Sequence, residues 1–105
     1  MSNSRLDILK SLVEQDPANA FTRYGLAMEL RSRGDLTGAA GSFEELMTGF
    51  PDYVPTYLMA AGVFAELGRQ DDRVHALRRG IEISTARGDG HAKKELEAAL
   101  AEAMA

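Results

Sequence analysis

The chain has 105 residues, no cysteine, and 12 basic against 16 acidic residues, for a formal net charge of −4. Its length fits one domain with a substantial core, and the lack of cysteine excludes disulfides, thiolate metal sites and a cysteine nucleophile. A mildly acidic chain has no electrostatic reason to bind nucleic acid, and no stretch is apolar enough for an export signal or a membrane span, so we expect a cytoplasmic protein without nucleic-acid or membrane partners.

Apolar residues recur with a helical period along the whole chain. In the first segment Leu6, Leu9 and Leu12 are three residues apart, which fits 3.6 residues per turn and excludes the alternation of a strand. The second segment carries apolar residues on two faces rather than one. In chain order, helices are predicted over about residues 4–15, 17–33, 36–48, 53–67, 71–87 and 91–104.

Proline and glycine mark the ends of these segments. Pro17 predicts a helix boundary, since proline restricts the residue before it. Gly34 and Gly68 end the second and fourth helices, because glycine tolerates the left-handed conformation that closes many helices. Asp35 and Asp89 each follow such a glycine and are predicted to cap the next helix. The connections are a few residues long, which favours antiparallel neighbours.

The same punctuation recurs after 34 residues. Pro17 and Pro51 are 51 − 17 = 34 residues apart, and Gly34 and Gly68 are 68 − 34 = 34 apart. Two independent kinds of helix breaker therefore share one period. A period of 34 with two helices per unit is the spacing of tetratricopeptide repeats.

The sequence resembles that family at many further positions. In the first unit the matching residues are Leu26, Ala27, Leu30, Gly34, Ala39, Phe43 and Pro51. In the second unit they are Tyr57, Ala60, Ala61, Phe64, Gly68 and Leu77. Arg73 stands where the family usually has a small alanine. Thr85 stands in place of the closing proline, which predicts that the fifth helix continues for a few residues.

The resemblance implies an all-α fold, a short right-handed α-solenoid of antiparallel helix pairs with about six helices. One helix pair cannot bury its own apolar face, so neighbouring units are expected to share a core. The expected organisation is one domain over residues 1–105, with a flanking helix at 4–16, repeat 1 at 18–51, repeat 2 at 52–87 and a C-terminal capping helix at 89–105.

Candidates for catalysis or metal binding are few. His75 and His91 each stand alone in the sequence, whereas a general base needs a partner within reach. Asp71 and Asp72 are consecutive and do not face each other on a helix, so we interpret them as favourable charge near a helix N-terminus. Asp89, between two glycines, is better interpreted as a helix cap than as a calcium ligand. No enzymatic activity, cofactor or metal is predicted.

In tetratricopeptide repeat proteins the first helices of stacked units line a concave groove that commonly holds an extended peptide or a partner helix. The groove positions map onto Phe21, Tyr24, Met28 and Arg31 in repeat 1, and onto Pro55, Leu58, Met59 and Gly62 in repeat 2. The resemblance therefore implies a non-enzymatic protein–protein interaction module that binds a partner peptide or helix through this apolar groove.

Two alternatives remain open for the same apolar strip. The chain could be a structural or self-associating repeat unit of a homo-oligomer or a larger complex. The last helix of the chain could also cover the strip, using Leu96 and Leu100.

Some members of the family grip acidic C-terminal tails with a clamp of lysine, asparagine and arginine side chains. The corresponding places here hold Tyr24, Met28 and Met59. None of these three can donate to a carboxylate as lysine or asparagine does. The sequence therefore departs from the clamp pattern, and binding is expected to depend on apolar anchors and only weakly on salt.

Overall fold

The computed structural model describes residues 4–105, which form six α-helices and no strand. The helices are α1 (Arg5–Gln15), α2 (Ala20–Ser32), α3 (Leu36–Gly49), α4 (Pro55–Glu66), α5 (Gln70–Ala86) and α6 (Gly90–Ala103). Each helix packs against the next in sequence, and α4 also contacts α6. The described chain measures 48 × 29 × 20 Å. The predicted all-α solenoid of antiparallel helix pairs is confirmed.

Four helices begin at a capping side chain. Ser4, Asn19, Asp35 and Asp89 each accept a hydrogen bond from the amide three residues further on. Each cap satisfies a first-turn N–H that has no partner inside its helix. The predicted roles of Asp35 and Asp89 are confirmed.

The helices α2 and α4 begin two to three residues later than the periodicity predicts. Asn19 is extended and caps α2, so that helix starts at Ala20 instead of at Pro17. Before α4, the amide of Tyr53 donates a hydrogen bond to the carbonyl oxygen of Phe50, the C-cap residue of α3. Pro55 is the first residue of α4, a position where the missing amide hydrogen costs nothing.

Left-handed glycines close three of the helices, α2, α4 and α5. The φ angles are 81° at Gly34, 71° at Gly68 and 69° at Gly88. Residues with a Cβ atom rarely adopt this left-handed backbone conformation. After the first of them the amide of Asp35 donates to the carbonyl of Leu30 at 2.9 Å, the 6→1 bond of a Schellman motif. The predicted helix stops at Gly34 and Gly68 are confirmed.

The C-terminal ends of α3 and α5 differ as the sequence predicts. The helix α3 has 14 residues and α5 has 17. Pro51 follows α3 closely, whereas Thr85 occupies the corresponding place within α5. Without the proline, the helix continues to Ala86 and ends at a left-handed glycine.

One apolar core runs through all the repeats. Its largest fully buried apolar side chains are Phe43, Leu46, Tyr57, Val63, Phe64, Leu77 and Leu96. Buried alanines, including Ala27 and Ala39, lie between them and let the helices approach closely. The hydroxyl of Tyr57 donates to the carbonyl oxygen of Pro51, so the buried phenol keeps a partner, and burial raises the pKa of Tyr57.

A close contact between helices lies at Gly80 in α5. A Cβ added there would stand 2.6 Å from Tyr57 Cβ and 3.1 Å from Leu96 Cδ1. Both α4 and α6 therefore pack directly on the α5 backbone. The sequence pattern pointed to position 73 for the small residue of this helix. Arg73 is instead half-exposed, and Gly80 allows the close approach.

Candidate protein-interaction groove

A pocket of about 280 Å³ lies across α4, between α2 and α6. It is lined by Tyr24, Val54, Pro55, Leu58, Met59, Asp89, Ala92, Glu95 and Leu96. We call this pocket the inner groove, and α2, α4 and α6 the inner helices. Most of the lining is apolar, and the groove extends over all three inner helices.

Equivalent positions of the three inner helices meet in the groove. Tyr24 lies on α2, Leu58 on α4 and Ala92 on α6, and all three line the pocket. Their numbers differ by 58 − 24 = 34 and 92 − 58 = 34. The 34-residue period therefore extends into α6, which takes the place of the first helix of a third unit.

Four of the eight predicted groove residues line the inner groove together. They are Tyr24, Pro55, Leu58 and Met59. Leu58 and Met59 are half-buried, and Pro55 is exposed. These apolar side chains therefore offer partly accessible surface on adjacent helices.

Two further predicted residues meet at a contact between α2 and α4. Arg31 Nη1 lies 3.5 Å from Met59 Sδ, and Arg31 Nη2 lies 3.3 Å from Glu66 Oε1. The guanidinium covers Gly62, where an added Cβ would stand 3.5 Å from Arg31 Nη2. Arg31 and Gly62 thus join two inner helices instead of lining the pocket.

The last two predicted residues lie outside the lining. Met28 is half-buried and packs against the core. Phe21 is 73% exposed, one turn before Tyr24 on α2.

Tyr24 belongs both to the groove and to the core. Its ring centroid lies 6.1 Å from that of Phe43, edge to face, and 5.6 Å from that of Tyr53. Burial raises the pKa of Tyr24, and the neighbouring Tyr53 raises it further. The phenol is therefore neutral at physiological pH, so it presents a polar but uncharged group beside the apolar residues.

The helix α6 forms one wall of the groove. Leu96 is fully buried against Gly80 and α4, while Ala92 and Glu95 line the pocket. Leu100 packs against the core and is not part of the lining. The sequence offered Leu96 and Leu100 as the residues of the last helix that cover the strip; of these two only Leu96 lines the groove, and Ala92 and Glu95 were not predicted to do so. One more step of 34 residues from Leu58 would have identified Ala92.

The α6 wall also brings carboxylates to the groove. Of the nine lining residues, Asp89 and Glu95 are acidic and none is basic. Asp89 Oδ1 accepts from the Ala92 amide at 3.1 Å. Glu95 Oε1 lies 3.1 Å from Nε2 of His91, a side chain that is 89% exposed.

A second pocket, between α3 and α5, is polar. It has a volume of about 260 Å³ and includes Glu44, Asp72, His75 and Arg79 in its lining. Arg69 pairs with Glu44 at 3.0 Å and with Asp72 at 2.8 Å, so these carboxylates already have a cationic partner. Within residues 4–105, no three histidine or acidic side chains are grouped closely enough to hold a metal ion.

No helix within the described part of the chain is both long and apolar enough to span a membrane.

Comparison with known proteins finds similarity among solved structures. The chain is 36% identical to a tetratricopeptide repeat domain protein from Salinibacter ruber solved in solution, with 84% of this chain and 89% of that chain covered and a TM-score of 0.79. A crystal structure of a tetratricopeptide repeat domain protein from the same organism gives 35% identity, coverages of 82% and 97%, and a TM-score of 0.78. No protein-family model matches the sequence, and no curated protein matches it significantly.

A more distant structure agrees in fold. A protein from Bordetella parapertussis is 18% identical to this chain, and the two superpose with a TM-score of 0.80. The match covers 99% of this chain and 90% of that protein. At this identity the likeness concerns the fold alone.

Proposed function

Because this chain belongs to the tetratricopeptide repeat family, we propose that it is a non-enzymatic protein–protein interaction module that binds a peptide or helical segment of a partner in the inner groove. The fold itself indicates a protein-interaction module. One observation supports the groove as the binding site: Tyr24, Leu58 and Ala92, at equivalent positions of three helices, line one largely apolar pocket.

The composition of the groove suits an apolar anchor. Leu58 and Met59 are half-buried, so a partner side chain seated on them would remove further apolar surface from water. Methionine adapts its shape to different partners, and aromatic residues such as Tyr24 are enriched at interfaces. A pocket of about 280 Å³ is small for a binding site, so we propose that it takes one large apolar side chain of the partner.

The proposal predicts that Leu58→Gln weakens binding at least about tenfold, the loss typical of a central apolar anchor. Glutamine is close to leucine in size and uncharged, so the variant removes the apolar contact without changing the charge of the groove. Peptides would first be selected from a random display library with the wild-type chain as bait. The dissociation constant of a selected synthetic peptide would then be measured by calorimetry for both proteins.

Leu12→Gln is the matched control. Leu12 lies on α1, outside the inner groove, and is 43% exposed, so this variant should bind as the wild type does. Circular dichroism verifies that both variants keep their helices. Selected peptides that bind the folded Leu58→Gln variant with unchanged affinity would refute the groove as the binding site.

A second candidate function is self-association through the N-terminal end of the chain. Four large apolar residues are exposed among residues 4–105, and three of them lie on α1 or in the first turn of α2. These are Ile8, Leu12 and Phe21, exposed by 49%, 43% and 73%. Ile8 and Leu12 lie one turn apart on α1 and line one shallow pocket. Monomeric proteins rarely leave a large apolar patch uncovered, so we propose that this end contacts a second copy.

Self-association predicts a mass above the 11.4 kDa of one chain that increases with concentration. Light scattering across a wide concentration range measures it directly. Phe21→Gln should return the mass to that of the monomer, because it replaces the most exposed apolar side chain with a polar one. A monomer mass for the wild type at every concentration would exclude this candidate.

A further inference from the structure

We infer that the partner segment bound by the inner groove carries a lysine or arginine next to its apolar anchor. This inference depends on the proposed function, since it names the chemistry of the partner of that same groove. It concerns the charge of the α6 wall, which only the assembled fold reveals.

The two sides of the groove differ in chemistry. Leu58 and Met59 on α4, with Tyr24 on α2, form the apolar side. Asp89 and Glu95 stand on the α6 side of the same pocket. A segment lying across the inner helices would therefore place an apolar side chain on α4 while a neighbouring residue reaches two carboxylates.

The basic side chains of the protein do not neutralise both carboxylates. Arg31 Nη1 lies 3.5 Å from Sδ of the lining residue Met59. The Arg31 guanidinium is nevertheless paired with Glu66 and lies over Gly62, and Arg31 is not itself part of the lining. His91 lies beside Glu95 but is 89% exposed, so an incoming ammonium or guanidinium group would compete with it at the surface. Asp89 uses one carboxylate oxygen to cap α6.

The same charges oppose other partners. An acidic peptide would bring its carboxylates towards Asp89 and Glu95 in a chain whose net charge is already −4. Like charges placed against each other cost binding energy and exclude wrong partners. A purely apolar peptide would gain no attraction from either carboxylate.

The acidic wall also changes the expected response to salt. The sequence predicts binding dominated by apolar anchors rather than by charge, with weak salt dependence. Pairing with two surface carboxylates adds an electrostatic contribution that salt screens. We therefore expect the affinity for the partner segment to decrease by several-fold between about 50 and about 500 mM salt.

The test uses the full chain and the display library described above. Selected sequences should carry lysine or arginine beside a large apolar residue more often than the unselected library does. One such synthetic peptide would then be titrated against Asp89→Asn, Glu95→Gln and the double variant. Asparagine caps a helix about as well as aspartate, so Asp89→Asn removes the charge and keeps α6 intact. Each exposed ion pair should contribute up to about fivefold, and the double variant should weaken binding about tenfold.

Glu97→Gln is the matched control. Glu97 lies on α6, is exposed and does not line the groove, so this variant changes the net charge equally without altering the wall. It should bind within about twofold of the wild type. Replacing the lysine or arginine of the peptide with glutamine should make the peptide insensitive to the Asp89 and Glu95 variants, as a double-mutant cycle requires for a direct contact.

The outcomes separate this inference from the proposed function. Selected peptides that lack basic residues, need Leu58, and bind the double variant as well as the wild type would overturn the inference while leaving the groove as the binding site. Peptides whose affinity depends on neither Leu58 nor the two carboxylates would overturn both. Enrichment of basic residues together with a loss at Glu97→Gln equal to that at Glu95→Gln would also overturn the inference, because it would indicate general charge attraction.

Discussion

Replacing Gly80 with alanine is expected to lower the free energy of unfolding by about 1–3 kcal/mol, the usual cost of overpacking a core. The added methyl group would stand 2.6 Å from Tyr57 Cβ and 3.1 Å from Leu96 Cδ1. The Tyr57 Cβ is fixed to its backbone and cannot swing away as the tip of a flexible side chain would. The helices α4 and α6 would have to move away from α5, which would also loosen two walls of the inner groove.

Gly41 is the matched control for that substitution. It lies within α3, and an added Cβ there would meet nothing within 4 Å. Alanine is favoured over glycine inside a helix by about 1 kcal/mol, so Gly41→Ala should raise the free energy of unfolding. Urea denaturation of both variants measures the difference. Equal effects of the two substitutions would contradict the close packing at Gly80.

Replacing Phe43 with alanine is expected to cost about 3–5 kcal/mol, and Leu77→Ala about 2–5 kcal/mol. Both side chains are fully buried, and the residues are 77 − 43 = 34 positions apart, so they occupy equivalent places in α3 and α5. A domain of this size is stable by about 5–15 kcal/mol. Either substitution should therefore remove a large share of the stability.

The same pair of variants tests whether the repeats share one core. Neighbouring units of a solenoid stabilise each other through their interface, so each variant should still unfold in a single transition at a lower denaturant concentration. Leu12→Ala, at a site that is 43% exposed, should change the stability by less than about 1 kcal/mol. Two separate transitions in Leu77→Ala, with the α2–α3 half unaffected, would show that the units fold independently.

The position of Tyr24 affects how groove binding should be tested. Because Tyr24 lines the groove, its replacement by glutamate would be an obvious test of groove binding. Its ring packs against both Phe43 and Tyr53, so a carboxylate there would also disturb the core. Leu58 is the better probe, because it lines the pocket without forming that aromatic cluster.

Helices, turns and repeat period could be predicted from the sequence because each depends on residues close together in the chain. The left-handed stops at Gly34 and Gly68 follow from the conformational freedom of glycine, and the caps Asp35 and Asp89 follow from the free amides of a first turn. The extra length of α5 followed from the missing proline. Four of the eight residues that the family pattern assigns to the groove line one pocket across adjacent helices, and their role in binding stays a prediction.

The limits of sequence reasoning appear where three helices meet. Whether Arg31 lines the groove or closes over Gly62 depends on Glu66, 66 − 31 = 35 residues away. The need for glycine at position 80 depends on Tyr57 and Leu96, which lie on two other helices. The acidic wall likewise exists only because α6 packs beside α4 and brings Asp89 and Glu95 to its groove. Local periodicity specifies which residues a helix offers, whereas the packing of distant helices decides which of them share a surface.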